Sequence, residues 1–357
     1  MTMPKTPPQR NTEQLDQCPQ ISRPSVSLKE LAAHLGLSQT TVSRVVNKSP
    51  AANRIPESTQ KRVFEAATRL KYEANVFARG LRSKRSFTIG VMVPEISEGY
   101  SAMVLSGIED ALLQEGFFYF VVSHRHRPEL LAGYPQLLLS RAVEGIIAID
   151  TPMQERLPVP VVAVSGHKHQ EHVINIQLDH RKAVRLALEH LYRLGHRKIA
   201  YIKGQVFSSD TKPRWKAICD VSSLLNIPAD PLLTVQLEGP SPGTEPGHIA
   251  TQKLLSRRKK FTAIFAFNDL SAIGAITALR EMGYRVPQDV SVVGFDDILS
   301  ASTNNPGLTT VRQPLQEMGV IAASTLLDII RGEVPPKQII RVLPAFTVRQ
   351  STSRPRK

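Results

Sequence analysis

VSLKELAAHLGLSQTTVSRVVN, residues 26–47, is the stretch on which the reading of this 357-residue chain turns. Ser27 followed by Glu30 has the form of a capping box that opens a helix, and Leu28, Leu31 and Leu35 recur on one face of it. Gly36 ends that helix. Leu37 and Ser38 lead into a second helix whose Val42, Val45 and Val46 point inward, leaving Gln39, Thr40, Thr41, Ser43, Arg44 and Asn47 outside. A helix that merely covers a core is usually faced with Glu, Lys, Gln and Ala. Here Thr, Ser, Val and Asn, all poorer helix formers, dominate, so the outer face reads as chosen for contact. Two short helices about a glycine turn, the second bearing small polar groups and an arginine, have the form of a device that reads DNA in a major groove.

The charge distribution points the same way. The chain carries a formal net charge of +14. Residues 1–86 hold 15 Lys and Arg against 6 Asp and Glu, a net +9, and the other 271 residues hold 30 against 25, a net +5. The excess therefore sits on the helix-turn-helix quarter, as a polyanion partner requires. Arg44, Arg62, Arg79 and Arg82 fall within or beside helical patterns, which a merely solvated basic tail would not explain. No apolar run approaches the roughly 20 residues needed to span a membrane. Residues 1–25 lack the apolar core of a secretory signal and read as a disordered extension, so the expected location is the cytoplasm. The two cysteines, Cys18 and Cys219, suggest neither a disulfide framework nor a metal site. No cofactor is implied.

Further along, NKSPAANRIPESTQ suits a loop, and Ile55 and Pro56 with Glu57 and Ser58 open a third helix with Val63, Ala66, Ala67 and Leu70 on its apolar face. A short basic stretch, EANVFARGLRSKRS, separates this bundle from a segment of different character. From Phe87 onward apolar strands alternate with amphipathic helices: strands at 87–93, 117–122, 144–150, 159–165 and 198–204, then LLTVQL, FTAIFAF and VSVVGF in the second half. Strand then helix, repeated, predicts parallel sheets with helices on both faces and a ligand crevice at the carboxyl ends of the strands.

These segments together resemble the LacI/GalR family of bacterial transcription regulators, over nearly everything from Val26 to Arg349. TVSRVVN (41–47) is similar to the family's recognition helix, NVFARGLRSKRSFTIGVMVPEIS (75–97) to its hinge and first core strand, and LEHLYRLGHRKIAYI (188–202) to its mid-core helix and strand. FAFNDLSAIGAITALREMGYRVPQDVSVVGFDDI (265–298) and LTTVRQPLQEMG (308–319) follow the family wording closely. The resemblance implies an all-α three-helix headpiece (26–73), a hinge helix or linker (74–86), a two-lobed α/β core like that of periplasmic binding proteins (87–349) and a C-terminal tail (350–357). It also implies a homodimer on a near-palindromic double-stranded operator, under control of a small-molecule effector, a sugar or sugar derivative, bound between the core lobes.

On the same resemblance, Gln39 and Thr40 occupy the base-choosing positions, with Arg44 a further base or phosphate contact. Ser27, Ser38, Thr41, Ser43 and Asn47 would fix orientation on phosphates, Asn75 would contact DNA from the hinge region, and Leu81 would wedge between base pairs. The effector set is Glu98, Tyr100, Asp150, Ser208, Asp210, Arg214 and Asp269, in which Arg214 and Asp269 would bracket the polar edges of a sugar or carboxylate. Two departures stand out. The chain is three residues longer than the usual spacing around AANRI, and Glu98, Gly99, Tyr100 and Ser101 replace the Asn-Pro-Phe-Phe of many members. HRHR at 124–127 offers an anion site at a strand end or simply solvated charge. The adjacent Asp296 and Asp297 raise the thought of an enzyme, but neighbouring residues at a strand end point to opposite faces and no partner group joins them. The core alone would also suit a solute-binding receptor, for which the DNA-reading segment has no use.

Overall fold

A computed structural model describes residues 26–47, 49–72, 85–97, 99–153, 155–166, 172–239, 243–333 and 337–356. The expected N-terminal extension, Asn75, Leu81 and Glu98 lie outside them. The chain divides into two compact units, Met1–Lys84 and Arg85–Lys357.

In the first unit the capping box forms as the sequence predicts. The Ser27 hydroxyl accepts from the Glu30 N–H at 3.2 Å and the Glu30 carboxylate accepts from the Ser27 N–H at 2.7 Å, opening α1 (Leu28–Leu35). Gly36 ends it at φ +63°, a left-handed turn in which a side chain would be strained. Ser38 Oγ accepts from the Thr41 N–H at 3.1 Å and starts α2 (Gln39–Val46), and α3 spans Glu57–Arg69. Leu31, Ala32, Val42, Val45, Val63 and Ala66 close a small core between the three helices. The expected loop is more ordered than its composition suggests. Pro50–Arg54 form a 3-10 turn with Ala52 buried, and Gln60 Nε2 donates to the carbonyls of Ala52 and Ile55 at 3.1 and 2.9 Å.

The second unit begins with β1 (Thr88–Val93), α4 (Gly99–Gln114), β2 (Phe118–Ser123), α5 (Pro128–Ser140), β3 (Gly145–Ile149), β4 (Val161–Val164) and β5 (Val173–Leu178). A second lobe follows with α6 (His180–Leu194), β6 (Ile199–Lys203), α7 (Thr211–Leu224), β7 (Thr234–Gln236), α8 (Glu245–Ser256) and β8 (Ala263–Ala266). It continues through α9 (Asp269–Glu281), β9 (Ser291–Asp296), α10 (Leu299–Thr303) and β10 (Thr309–Arg312). The chain then returns to the first lobe for α11 (Leu315–Ile330) and β11 (Ile339–Val342), and ends in the second with β12 (Ala345–Thr347).

Each lobe is built on a six-stranded sheet, in the order β11-β5-β4-β3-β1-β2 and β12-β10-β9-β8-β6-β7. Every neighbouring pair is parallel except β10 with β12. Strands β1, β3 and β4 are buried along their whole length, which is why they read as unbroken apolar runs rather than as alternation. The chain therefore crosses between lobes at 178–180, 312–315 and 342–345.

Two glycines let α4 and α11 lie backbone against backbone: a Cβ on Gly107 would stand 2.0 Å from the Gln316 carbonyl, and one on Gly319 would stand 2.1 Å from that of Val104. The expected tail is no tail at its start. Ser351 is fully buried, its Oγ donating to the Val292 carbonyl at 2.6 Å and accepting from the Thr309 N–H at 2.8 Å, so it ties β9 to β10.

Candidate functional site

On α2 the hydrogen bonds sort the expected DNA contacts into two groups. The hydroxyls of Ser38 and Thr41 lie 2.9 Å apart at the helix start, and Asn47 Nδ2 donates to the Ser43 carbonyl and hydroxyl at 2.8 and 3.2 Å. Ser27 is likewise held by Glu30, to which its hydroxyl donates at 2.9 Å. Ser27, Ser38 and Asn47 cap helices, and Thr41 and Ser43 are the partners of the last two within α2; both are moreover half-buried. Gln39, Thr40 and Arg44 are exposed, and no hydrogen bond or ion pair within the described residues engages their side chains. They are the groups left free to meet a partner.

In the second unit the strand ends of the two lobes face one cleft, and the lobes are joined across it. Asp150, just past β3, bends out of the strand at φ +38° and accepts from three donors of the segment before α7. These are Ser208 Oγ at 3.0 Å, the Ser209 N–H at 2.9 Å and Ser209 Oγ at 2.5 Å. Ser209 Oγ also meets the Ser165 carbonyl, and the Ser165 hydroxyl lies 2.6 Å from that of Tyr100. A second contact joins the lobes at the cleft mouth, where the His126 ring stacks on Phe207 with centroids 3.9 Å apart. HRHR thus makes this contact rather than an open anion site. His124 is buried, faces Thr151 Oγ1 at 3.0 Å, and is held down to about 4 by desolvation, so it is neutral. The cavity that remains between the lobes measures about 60 Å³ and is lined by Asp150, Ser208, Phe207 and Phe267 among others.

Deeper in, Arg214 is 3% exposed and its guanidinium is committed on several sides. Nη2 meets Asp210 Oδ2 at 2.7 Å, Nη1 donates to the Phe267 carbonyl at 2.5 Å, and the plane lies 3.7 Å from the centroid of the Phe295 ring. Asp210 also faces His180 Nε2 at 3.3 Å. Asp296, whose strand end twists to φ +118°, accepts from Gln313 Nε2 at 2.6 Å. Burial pushes Asp296 well above the ordinary carboxylate range, against the pull of Arg214, and burial plus the Asp210 charge pushes Asp150 up to about 6. Asp269 is placed differently from expectation. It is fully buried inside the second lobe, with one carboxylate oxygen accepting from Thr310 Oγ1 at 2.5 Å and the other from the Ile298 N–H at 2.9 Å, and desolvation raises it to about 7. It positions β10 and the turn after β9 rather than reaching into the cleft.

The structure therefore brings together Tyr100, Asp150, Ser208, Asp210 and Arg214 and adds Ser209, Asp296 and Gln313, which sequence reasoning did not nominate as ligand contacts. Asp296 and Asp297 do part as adjacent strand-end residues should, since Asp297 turns to Arg349 at 2.7 Å and Thr347 at 3.1 Å. Among the described residues no cluster of His, Cys, Asp and Glu is arranged to hold a metal ion, and no helix is long and apolar enough to cross a membrane.

A helix-turn-helix unit with an unengaged polar face, followed by two α/β lobes with a polar cleft between them, defines a class: transcription regulators that pair a DNA-reading headpiece with a small-molecule-binding core. Residues 27–75 match the family profile described as bacterial regulatory proteins, lacI family, and residues 188–352 match that of the periplasmic binding protein-like domain. The chain is 32% identical over 339 residues to the HTH-type transcriptional regulator DegA of Bacillus subtilis (strain 168), covering 92% of this chain and 98% of that protein. It is 30% identical over 336 residues to the HTH-type transcriptional repressor PurR of Edwardsiella ictaluri (strain 93-146), covering 92% and 97%. Among solved structures, the lac repressor dimer bound to operator and the anti-inducer ONPF superposes with a TM-score of 0.82 at 27% identity, covering 92% of this chain and 99% of that one. The chain belongs to the lacI family of bacterial regulatory proteins: it is a DNA-binding transcription regulator and not an enzyme.

Proposed function

We propose that this chain is a cytoplasmic, ligand-responsive repressor that binds a near-palindromic operator as a homodimer. The observation that carries the DNA half is the division on α2: the polar groups of Ser38, Thr41, Ser43 and Asn47 are bonded to one another or to the helix backbone, and the exposed Gln39, Thr40 and Arg44 are unengaged within the described residues and open to base edges and phosphates. Asn75 and Leu81, in the 74–86 segment, are assigned to the same DNA surface on their place in the family pattern. The lac repressor crystallised with operator is a dimer. In this chain the edge strand β2 leaves Phe118 and Phe120 exposed, apolar surface of the kind a second copy covers.

The effector half of the reading places a sugar or sugar derivative between the lobes of the 87–349 core, on Tyr100, Asp150, Asp210 and Arg214. Asp150 of the first lobe is bonded to Ser208 and Ser209 of the second across the cleft, so a ligand that takes Asp150 competes with the lobe contact and binding is linked to lobe separation. A ligand moves DNA affinity only by as much as its affinity differs between the two lobe arrangements. Selection of binding sites from random duplex DNA by the purified protein tests the reading. A two-fold symmetric motif is expected, shifted in sequence by Gln39→Ala. An asymmetric motif refutes the dimer, and a motif indifferent to Gln39 and Arg44 refutes the assignment of the reading face.

A further inference from the structure

The second lobe gathers its positive charge at one end. Ile199 of β6 lies in register beside Ala263 of β8, and Ala263 beside Ser291 of β9, so the residues before these strands share the end opposite the cleft. Three basic runs far apart in sequence meet there, 193–198, 257–260 and 354–356. The His196 ring ties them together: Nδ1 faces Thr262 Oγ1 at 2.8 Å and Nε2 the Ser353 carbonyl at 2.9 Å, while the Thr262 N–H donates to the Lys198 carbonyl at 2.9 Å. The runs hold nine Lys and Arg, all exposed, and no Asp or Glu, which is more than the whole net excess of +5 in residues 87–357. Among the described residues carboxylates meet three of the nine, Glu189 on Arg193, Asp230 on Lys259 and Asp289 on Arg356, and six have none. Two of those six are held in place by the backbone. Arg257 Nη1 donates to the carbonyls of Leu232 and Thr234 at 3.1 and 2.9 Å, and Arg197 Nη1 donates to the Tyr192 carbonyl at 2.8 Å with its guanidinium 3.7 Å from the centroid of that ring.

We propose that this end of the second lobe is a second, sequence-independent contact for duplex DNA. The partner follows from the chemistry of the face. Within the three runs no apolar side chain is exposed, so they offer nothing to insert into a bilayer or to bury in the centre of a protein interface. Nor is any aromatic ring exposed in them on which unpaired bases could stack, and the neighbouring Tyr192 is already stacked under Arg197. What the runs present is positive charge at several points, two of them fixed, which suits the regularly spaced phosphates of a duplex. The chain is a DNA-binding regulator, so duplex is the polyanion it meets at the highest local concentration. The face belongs to a different unit from α2, so one molecule can hold two stretches of DNA. If four of the six unpaired cations engage phosphates, the affinity of the face falls with salt on a log–log slope of about −4.

Lysine acetylation of the full-length protein, read by mass spectrometry with and without an unrelated duplex of about 24 base pairs at about 50 mM salt, tests the face directly. The duplex is expected to protect Lys198 and Lys260 several-fold and to leave Lys216, exposed on α7, as reactive as before. Raising the salt to about 200 mM should increase the DNA concentration needed for that protection by about 100-fold. Arg258→Glu with Arg354→Glu should increase it at least about ten-fold at constant salt, whereas Arg181→Glu with Arg185→Glu, the same change in net charge placed on α6, should leave it within about two-fold. Lys198 and Lys260 that react equally fast with and without duplex overturn the proposal, as do equal losses in the two variants. Protection of the same lysines by single-stranded polyuridylate, or by vesicles of phosphatidylserine and phosphatidylcholine, at lower concentration than by duplex overturns the choice of partner.

Discussion

Asp150→Asn tests the lobe contact most directly. In the wild type, burial and the neighbouring Asp210 raise this carboxyl from 3.8 to about 6, while Ser208 and Ser209 pull it down by less. A rise of about two units at 1.36 kcal/mol each means that the folded core holds the ionised form at a cost of up to about 3 kcal/mol, and about 1 to 3 once residual solvation is allowed for. The sign follows from proton counting. Between pH 4 and 6 the folded state binds more protons at this site than the unfolded chain, so stability falls as pH rises through that window and the full cost is present above it. Asparagine keeps the latch: its Oδ1 accepts from the N–H and hydroxyl of Ser209, its Nδ2 donates to Ser208 Oγ, and it tolerates the left-handed backbone at φ +38°. Asp150→Asn is therefore expected to be more stable than wild type by about 1 to 3 kcal/mol at pH 8, the gap closing towards pH 4. Urea unfolding of the core at a series of pH values, followed by the fluorescence of the single tryptophan, Trp215 on α7, measures it. Taking the difference between variant and wild type cancels Asp269 and Asp296, which titrate in both. A variant less stable than wild type at pH 8, or a gap that does not change with pH, would refute the assignment of the cost to a buried charge in this contact.

Arg44→Ala should weaken operator binding by about 1 to 3 kcal/mol and flatten its salt dependence, measured by fluorescence anisotropy at several salt concentrations; an unchanged affinity places the arginine outside the interface. Arg214→Ala leaves Asp210 buried without its cation and should lower core stability by about 3 to 5 kcal/mol in the same urea assay, with a loss below 1 kcal/mol showing that the carboxylates are not held by that guanidinium. Gly319→Ala drives a methyl into the Val104 carbonyl and should cost about 1 to 3 kcal/mol or more by calorimetry, whereas a neutral result would mean that α4 and α11 separate without penalty.

What the sequence reveals of this molecule divides along physical lines. The headpiece is legible because its signals are local: the Ser27 and Glu30 capping box, Gly36 at the turn and the valine spacing of α2 all act within four residues of one another. The central strands are legible because full burial in a parallel sheet leaves unbroken apolar runs such as GIIAI and VVAV. Strands β5, β10, β11 and β12 and the helix α11 escape notice because they flank the crossings, where polar residues such as Asn175, Gln177 and Arg312 interrupt the apolar pattern. At the site, Tyr100, Asp150, Asp210 and Arg214 come from the family pattern, but which of them face each other does not. Asp269 turns inward because Thr310 and the Ile298 N–H, 41 and 29 residues further along, are both donors within reach, and no local spacing announces that. Ser209 had a faint signal, a serine beside two nominated residues at a helix start. Gln313 had none, since its role arises from a crossing and from an unshared oxygen.

The energetics of the cleft bear on why such a core can switch at all. Closing the lobes makes three hydrogen bonds to Asp150, each contributing about 1 kcal/mol net, and charged acceptors somewhat more. The same closure confines an ionised carboxylate that burial disfavours by about 1 to 3 kcal/mol. The two terms are opposite in sign, so this contact holds the closed arrangement less firmly than its three hydrogen bonds alone would. A ligand that donates to Asp150 relieves the unfavourable half without needing the serines, and thereby favours the arrangement that admits it. With the contact weakened in this way, a differential affinity of a few kcal/mol shifts the population of the two arrangements. Replacing Ser208 and Ser209 together by alanine would remove the favourable half alone, and the proposed coupling then requires the double variant to respond to its ligand at lower concentration than the wild type.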